Sequence, residues 1–492
     1  MEDLTLDQPR ANRANRANRA DFAEPSAVAQ LHCIDPANRA DEADAVAMRL
    51  GSAQFRRDYG LRYAYLSGAM YRGIASRQMV VAMGRAGLLG FLGTGGMSLE
   101  QIRADIIAIR EQLEPHQAWG MNLIAQVADD AMERATVALY LELGVHAIEA
   151  SAFMQITPAL VHYRLQGLEA GPDGAVVCRN KILAKLSRPE VAREFMQPAP
   201  ERIVARLLAE GAVTEQQARL ARHVSMASDI CVEADSGGHT DQGVALVLLS
   251  AIQRLRRELG CDPGSLRVGL AGGIGTPEAV AAAFILGADF VLTGSINQCT
   301  VEAGTNDAVK DLLQEIDIQD TAYASAGDMF EMGAKVQVLR KGVFFPARAN
   351  RLYLLYSQYE SLAEIPAAVR TQLEEKYFRK PLDDVWRETR AFLAARGRQD
   401  DVDKAETNPK HKMALVFRWY FGHSMRAAIN GDTANRVDYQ IHTGPALGAF
   451  NRYVKGTPLE NWRARHVDRI GRQLMLDAGA LMLERVAALT AN

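Results

Sequence analysis

Three short stretches of this sequence hold residue types that can do chemistry. The first runs Glu233-Ala234-Asp235-Ser236-Gly237-Gly238-His239-Thr240-Asp241. Its paired glycines would let backbone approach a planar ligand, and its imidazole can donate or accept a proton near neutral pH. The second, Ala271-Gly272-Gly273-Ile274-Gly275, runs into Thr276-Pro277-Glu278 and opens a helix with proline near its first turn. Glycines there allow N–H groups to reach a phosphate without interference from Cβ, and the helix N-terminus adds a favourable dipole. The third, Thr293-Gly294-Ser295, supplies another set of donors, so that the two glycine loops can cradle one phosphate. Taken singly, each glycine reads as a tight turn and His239 as a surface-loop histidine; their joint spacing is what favours a site. Two weaker candidates stand nearby in the pattern. The amide of Asn122 matches the donor and acceptor edge of a pyrimidine-like ring, and Lys185 can stabilise negative charge developing on such a ring. Lys185 reads equally well as an exposed strand-end lysine, and Glu149 either orients a neighbour or is a satisfied polar group of the interior.

These residues need a scaffold that gathers them at one place. From Leu61 onward, short apolar or β-branched runs alternate with helical stretches, which is the signature of β/α units. The runs are Leu61–Gly68, Gly87–Gly93, Ala118–Ile124, Val145–Ser151, Asn180–Ser187, Asp229–Asp235, Leu266–Gly273 and Asp289–Ser295. Helices are expected between them, for example over Ser98–Leu113 and Ala128–Leu143, where apolar residues recur at three- and four-residue steps. Eight such units predict a TIM (β/α)8 barrel, whose active site lies at the carboxyl ends of the strands. An open doubly wound sheet is the alternative, but no GxGxxG turn follows the first strand, and the phosphate-type glycines follow strands seven and eight. Arg188–Ser228 is too long for one crossover and is expected to be a helical insertion that caps the mouth. Past Asp320 the pattern turns helical and aromatic, including MFEMGAKVQVL and VFRWYFGHSMRAAI. The expected division is a leader over 1–54, the barrel over 55–315 with its insertion at 188–228, and an α-helical C-terminal domain over 316–492.

Composition narrows the function classes. Among 492 residues, 56 Lys plus Arg against 59 Asp plus Glu leave a net charge of −3, so neither nucleic acid nor an anionic membrane is an expected partner. The 5 cysteines form no CxxC pair and have no close histidine cluster, which argues against a disulfide framework and against a structural metal site. Cys231 falls inside strand six, where a small buried apolar role is the default. No signal-type segment or spanning apolar run is present, and the expectation is a cytoplasmic protein. No GxxxxGK[ST] loop occurs, which disfavours nucleoside triphosphate chemistry. The tandem ANR repeat at Ala11–Ala20, echoed at Ala37–Asp41, has no core-forming residues and reads as disordered.

Several motifs together resemble a known family. Ser67-Gly68-Ala69-Met70-Tyr71-Arg72-Gly73-Ile74-Ala75-Ser76, the Gly-Gly-His loop at 237–239, Ala271-Gly272-Gly273-Ile274 and Thr293-Gly294-Ser295 resemble the nitronate monooxygenase-like FMN barrels. GVFFPARANRLYLLYSQYESL, the stretch from YFGHSMRAAINGD to NRYVKGTPLENW, and SINQCTVEAG look more narrowly like the PfaD family. Those are trans-acting enoyl reductases of polyunsaturated fatty acid synthases and of polyketide synthases with separate acyltransferases. The resemblance runs from about Tyr59 to about Val467 and leaves the ANR repeat outside. It implies FMN as cofactor and NADPH as reductant, with NADPH over NADH a family expectation only. It implies as substrate an α,β-unsaturated thioester held on an acyl carrier protein domain. Cofactor-binding positions are then Gly68, Ala69, Met70, Asn122, Lys185, Asp235, Gly237, Gly238, Ala271, Gly272, Gly273, Thr293, Gly294 and Ser295; Lys185 and His239 carry the catalytic roles. His239 matches the histidine that would deliver a proton or stabilise an enolate. The rival readings are a nitronate-oxidising flavoenzyme and a flavin-free docking scaffold. Lys335, Arg340, Lys341 and Arg348 are basic residues that either meet an acidic carrier or form a solvated face. A homodimer stays open.

Overall fold

The computed structural model describes residues 36–125, 130–172 and 174–490. Each of the eight apolar runs forms a strand: β1 Tyr65–Ser67, β2 Leu89–Leu92, β3 Gly120–Ile124, β4 Ala147–Ser151, β5 Lys181–Leu186, β6 Asp229–Glu233, β7 Arg267–Ala271 and β8 Val291–Thr293. Every strand pairs in parallel with its neighbours in chain order, and β1 closes on β8 with Leu66 opposite Leu292. The expected TIM barrel is the observed fold. Strand side chains alternate between lumen and outer ring because of the pleat, and both sets are largely apolar because both faces are covered. Leu66, Leu89, Phe91, Leu183, Cys231 and Leu292 fill the lumen, with Phe55, Tyr59 and Phe290 in the same cluster. Ile148, Ile182, Ile230, Val268 and Val291 point outward into the layer beneath the helices. The expected helix over Ser98–Leu113 is Leu99–Gln112, entered through a Ser98–Gln101 capping box. Among the described residues no helix is long and apolar enough to cross a membrane.

The insertion does not cap the mouth. Its helices Pro189–Met196, Glu201–Ala209 and Glu215–Leu220 lie along the flank, against β5, helix Pro158–Gln166 and the hairpin Leu168–Ala170/Val176–Cys178. Arg164 anchors this region where β5 and β6 begin, donating to Asn180 O at 3.0 Å and Ser228 Oγ at 2.7 Å. Val191, Phe195, Ile203 and Leu207 are apolar enough to need a partner surface, and the barrel's outer layer is the nearest one.

The C-terminal third divides differently from the expected 316–492 domain. A separate core gathers Phe330, Val336, Val338, Phe345, Leu352, Trp386, Phe417 and Phe421. Leu447, Phe450, Trp462, Val467, Ile470 and Leu474 belong to the barrel core. The final helix Val467–Thr490 packs on helix Pro36–Ala47 and helix Pro277–Ile285, so the chain returns to the barrel after its excursion. The leader likewise contributes Ala43, Ala47 and Leu50 to buried surface. The ANR repeat at Ala11–Ala20 lies outside the described residues, and its echo lies at the start of helix Pro36–Ala47.

MFEMGAKVQVL, expected to be helical, contains a strand instead. Thr321–Ser325 and Lys335–Leu339 pair antiparallel, and the second strand also pairs with Gly238–His239, placing Val336 opposite His239. This hairpin and the Gln440–Ala446 segment are what overlie the mouth; Thr443 meets Gly237, and Ala446 meets Gly275.

Candidate active site

At the ends of β7 and β8 two glycines face open space. A Cβ added at Gly273 or at Gly294 would meet no heavy atom within 4 Å. Among the described residues, the backbone N–H groups of Gly273, Ile274, Gly275, Gly294 and Ser295 donate to no protein acceptor, whereas Gly272 continues the ladder between the two strands. The free N–H groups on these two adjacent loops have no protein acceptor and so form a cradle open to an anion. Helix Pro277–Ile285 starts beside it, with Thr276 capping Ala279 N–H at 3.4 Å. The cradle suits the phosphate of a mononucleotide such as FMN. Gly272, with φ +90°, is fixed by a different need: a Cβ there would lie 2.6 Å from Ala234 O.

The other glycine pair serves packing. A Cβ at Gly237 would sit 2.6 Å from Thr443 Cα and 2.9 Å from Ser295 Oγ, so the close approach is made by the returning chain. Gly238 takes φ +97° beside His442. Asp235 has both carboxylate oxygens engaged: Oδ1 accepts from Thr240 Oγ1 at 2.6 Å, and Oδ2 accepts from the Tyr323 hydroxyl and from Gln337 Nε2 at 3.2 Å. It clasps the strand-six loop to the hairpin. Thr293 is similarly spent, its hydroxyl bonded to Tyr65 OH at 2.8 Å and to Leu66 O at 3.2 Å. Ala271 is buried in the lumen cluster.

Across the mouth, Lys185 stands between two carboxylates, 3.2 Å from Glu149 Oε1 and 3.4 Å from Glu233 Oε1. Burial alone would lower its pKa, but the two carboxylates outweigh it and hold the ammonium charged well above its ordinary value. The exposed strand-end reading of Lys185 is thereby excluded. Glu149 is fully buried and also accepts Ala69 N–H at 3.0 Å and Ser151 Oγ at 3.2 Å, so it orients its neighbours. Gly68 N–H closes onto Thr293 O at 2.9 Å, tying the β1 loop, with Met70 beyond it, to β8. Asn122 Nδ2 donates to Glu149 O and to Ser151 Oγ, both at 2.9 Å. The carbonyl partner fixes the amide orientation, and the donor half of the expected ring-reading edge is used within the protein.

His239 is half-exposed at the rim, and its Nε2 lies 2.9 Å from Asp328 Oδ1. Partial burial alone would lower its pKa; the hydrogen bond and charge of Asp328, with Glu233 adding, raise it. His442 stands edge-on to it, with ring centroids 6.4 Å apart, and burial with the neighbouring imidazole pushes it down to about 4. Asp328 and His442 carry no local sequence signal; the alternation in KVQVL, which brings the hairpin to the mouth, is the clue that could have found Asp328. The four basic residues that read as either a carrier contact or a solvated face each have a partner within the protein. Arg348 is ion-paired with Asp438, Lys341 lies 3.5 Å from Asp320, Arg340 donates to Gln319 O, and Lys335 lies over the Tyr353 ring.

Residues 61–343 match the nitronate monooxygenase family model, and residues 359–439 match the inserted helical domain of [acyl-carrier-protein] S-malonyltransferase. The chain is 55% identical over 451 residues to polyketide biosynthesis protein PksE of Bacillus subtilis, covering 91% of this chain and 58% of that protein. It is 44% identical over 419 residues to a component of the polyunsaturated fatty acid synthase of Thraustochytrium, covering 84% of this chain and 28% of that protein. It thus spans only part of the curated relatives it matches. The crystal structure of the enoyl reductase domain of MlnA, from the macrolactin cluster of Bacillus amyloliquefaciens, superposes with a TM-score of 0.85 at 43% identity, covering 89% of this chain and 99% of that one. FabK of Thermotoga maritima shares the fold at a TM-score of 0.53 and 17% identity, covering 89% of this chain and 98% of that one. With a barrel matched by one family model and nearly all of a solved enoyl reductase domain matched at this identity, the chain belongs to the nitronate monooxygenase family and, within it, to the PfaD-like enoyl reductases of polyketide and polyunsaturated fatty acid synthases.

Proposed function

We propose that this chain is an FMN-dependent enoyl reductase acting in trans on α,β-unsaturated thioesters carried by acyl carrier protein domains of a polyketide or polyunsaturated fatty acid synthase, in the cytoplasm, with NAD(P)H as reductant. The observation that carries the reading is the cradle of free N–H groups after β7 and β8, set in the same mouth as Lys185 and His239. Bound FMN would supply the hydride that reaches the β-carbon. Gly273, Ile274, Gly275, Gly294 and Ser295 would hold its phosphate through backbone donors. Lys185, charged and anchored by Glu149 and Glu233, would face developing negative charge from a fixed position, which costs no reorganisation during reaction. His239 would place a proton at the α-carbon or steady the enolate oxygen. Carrier protein as partner is supported by the likeness of residues 359–439 to a helical domain inserted in an enzyme that works on acyl carrier protein.

An anaerobic flavin-reoxidation assay tests the reading. Protein reduced with NADPH should be reoxidised by a crotonyl-type thioester on a carrier protein and left reduced by a nitronate. In an aerobic control, nitronate turnover with oxygen as acceptor would support the oxidase instead, and a colourless protein that takes up no FMN would support a scaffold. His239→Ala should remain yellow and lose roughly 100-fold in the rate of reoxidation by thioester, the lower end of what a positioned proton donor contributes. Unchanged turnover in that variant would remove His239 from the chemistry.

A further inference from the structure

The histidine at the rim does not stand alone, and its partner comes from the part of the chain that departs from the barrel. Asp328 lies in the turn between the two hairpin strands, where Ala326 N–H bonds to Ala334 O at 2.8 Å. Gly327 is pressed against Phe421 of helix Pro409–Asn430, where a Cβ would lie 2.7 Å from Cγ of that ring, so the turn has little freedom to drift. Asp328 Oδ1 accepts its neighbour Met329 N–H at 3.1 Å and His239 Nε2 at 2.9 Å. On the histidine side, the backbone is held by the pairing of Gly238–His239 with Lys335–Leu339. Both partners are therefore carried on a single three-stranded sheet.

We propose that Asp328 is a positioning residue for proton transfer by His239, fixing the imidazole so that Nδ1 is the atom that exchanges the proton and making the hairpin of the second unit part of the active site. This rests on the reductase reading given above. A carboxylate has no proton to give, so the contact requires a hydrogen on Nε2 in either charge state of the ring. Only Nδ1 is left to exchange one. The arrangement holds the tautomer and favours the imidazolium, as a carboxylate behind a histidine does wherever that ring must cycle between charge states.

The charged and titratable groups around His239 are few. Its own loop brings Glu233, whose charge adds to that of Asp328 and which is partly offset by Lys185 at 3.4 Å. The returning segment brings His442, edge-on and held neutral near pH 7, so it adds no repulsion to the imidazolium. From the paired strand, Lys335 turns toward Ser325 Oγ at 3.5 Å and the Tyr353 ring. Asp328 is the group in direct contact. The sign follows: with His239 raised by Asp328, the protonated form persists to higher pH, and thioester-dependent activity should fall as pH rises through the folded-state value.

The test uses the FMN-loaded full chain with 13C-labelled histidine. The His239 signal is assigned by its loss in His239→Gln, and its midpoint is followed by NMR in wild type, Asp328→Asn and Asp328→Glu. Asp328→Asn should move the midpoint to lower pH and shift the alkaline limb of the kcat profile in the same direction, with a loss of roughly tenfold in kcat at neutral pH and little change in KM. Asp328→Glu should restore most of both. An unmoved midpoint in Asp328→Asn would overturn the pairing, and a moved midpoint with an unmoved rate profile would overturn its role in proton transfer. If the midpoint moves but wild type reduces no enoyl thioester, the pairing stands and the reductase reading fails.

Discussion

Both ends of the barrel place a cation between two carboxylates, and they do so in opposite ways. At the amino end, Arg267 reaches Asp229 at 2.7 Å and Asp58 at 2.6 Å, and Tyr59 OH donates to the second oxygen of Asp229 at 2.7 Å. Helix Ala53–Tyr59 covers this end, with Phe55 stacked on Phe290 at a centroid distance of 4.5 Å. At the carboxyl end, Lys185 sits 3.2 and 3.4 Å from Glu149 and Glu233, and free backbone donors stand across the mouth. Guanidinium geometry saturates its partners, whereas an ammonium on a flexible stem is a point charge that tolerates looser contacts. The closed end spends its hydrogen bonds on the fold; the open end keeps some in hand for a ligand.

That contrast can be broken at either end. Arg267→Met should carry the largest effect, because it leaves Asp229 fully buried without its counter-charge; about 3–5 kcal/mol of stability should be lost. Urea unfolding measures it, and the soluble fraction should still bind FMN in full proportion, since the change lies at the far end. A loss below about 1 kcal/mol would mean the closed end is not the structural one. Lys185→Met should cost less, about 1–3 kcal/mol, because Glu233 is part-exposed and Glu149 keeps Ala69 N–H and Ser151. Its signature is functional: a fall in the rate of flavin reoxidation by thioester larger than the fall in stability explains. If Lys185→Met unfolded the protein more readily than Arg267→Met, the assignment of the two ends would be reversed.

The barrel was legible because each strand is an apolar run closed by glycine, serine or an acid, and the phosphate loops because glycine has few reasons to cluster after two successive strands. Lys185 was legible as a strand-end position but not as an ion pair, since Glu149 and Glu233 reach it only once β4, β5 and β6 lie side by side. Asp235 and Gly237 were expected at the cofactor from the resemblance of their loop to the FMN barrels, and the structure gives each of them partners within the protein as well. Their partners Tyr323, Gln337 and Thr443 lie far along the chain, and no local periodicity announces such contacts. The same reason hid Asp328 and His442. Misreading KVQVL as helical was avoidable, because its valines alternate, and Val336 and Val338 both enter the core of the second unit. The flank position of the 188–228 helices was not readable: an apolar stripe demands burial without saying against which surface.

The smallest of these effects is also the cleanest probe of the open end. Gly273 has φ +76°, so any side chain there strains the backbone as well as filling the cradle, and lost flavin in such a variant would have two causes. Gly294 has no such constraint and equally open surroundings. Gly294→Ala should therefore leave stability within about 0.5 kcal/mol of wild type, as a substitution that meets nothing in the protein does. Its added methyl occupies space that a phosphate approaching the Gly294 and Ser295 N–H groups would use. FMN affinity, read by flavin fluorescence quenching, should drop about tenfold, equivalent to about 1.4 kcal/mol. An unchanged Kd in a stably folded Gly294→Ala protein would show that the free donors after β8 are not where the phosphate binds, and the open end would then lose the feature that separates it from the closed one.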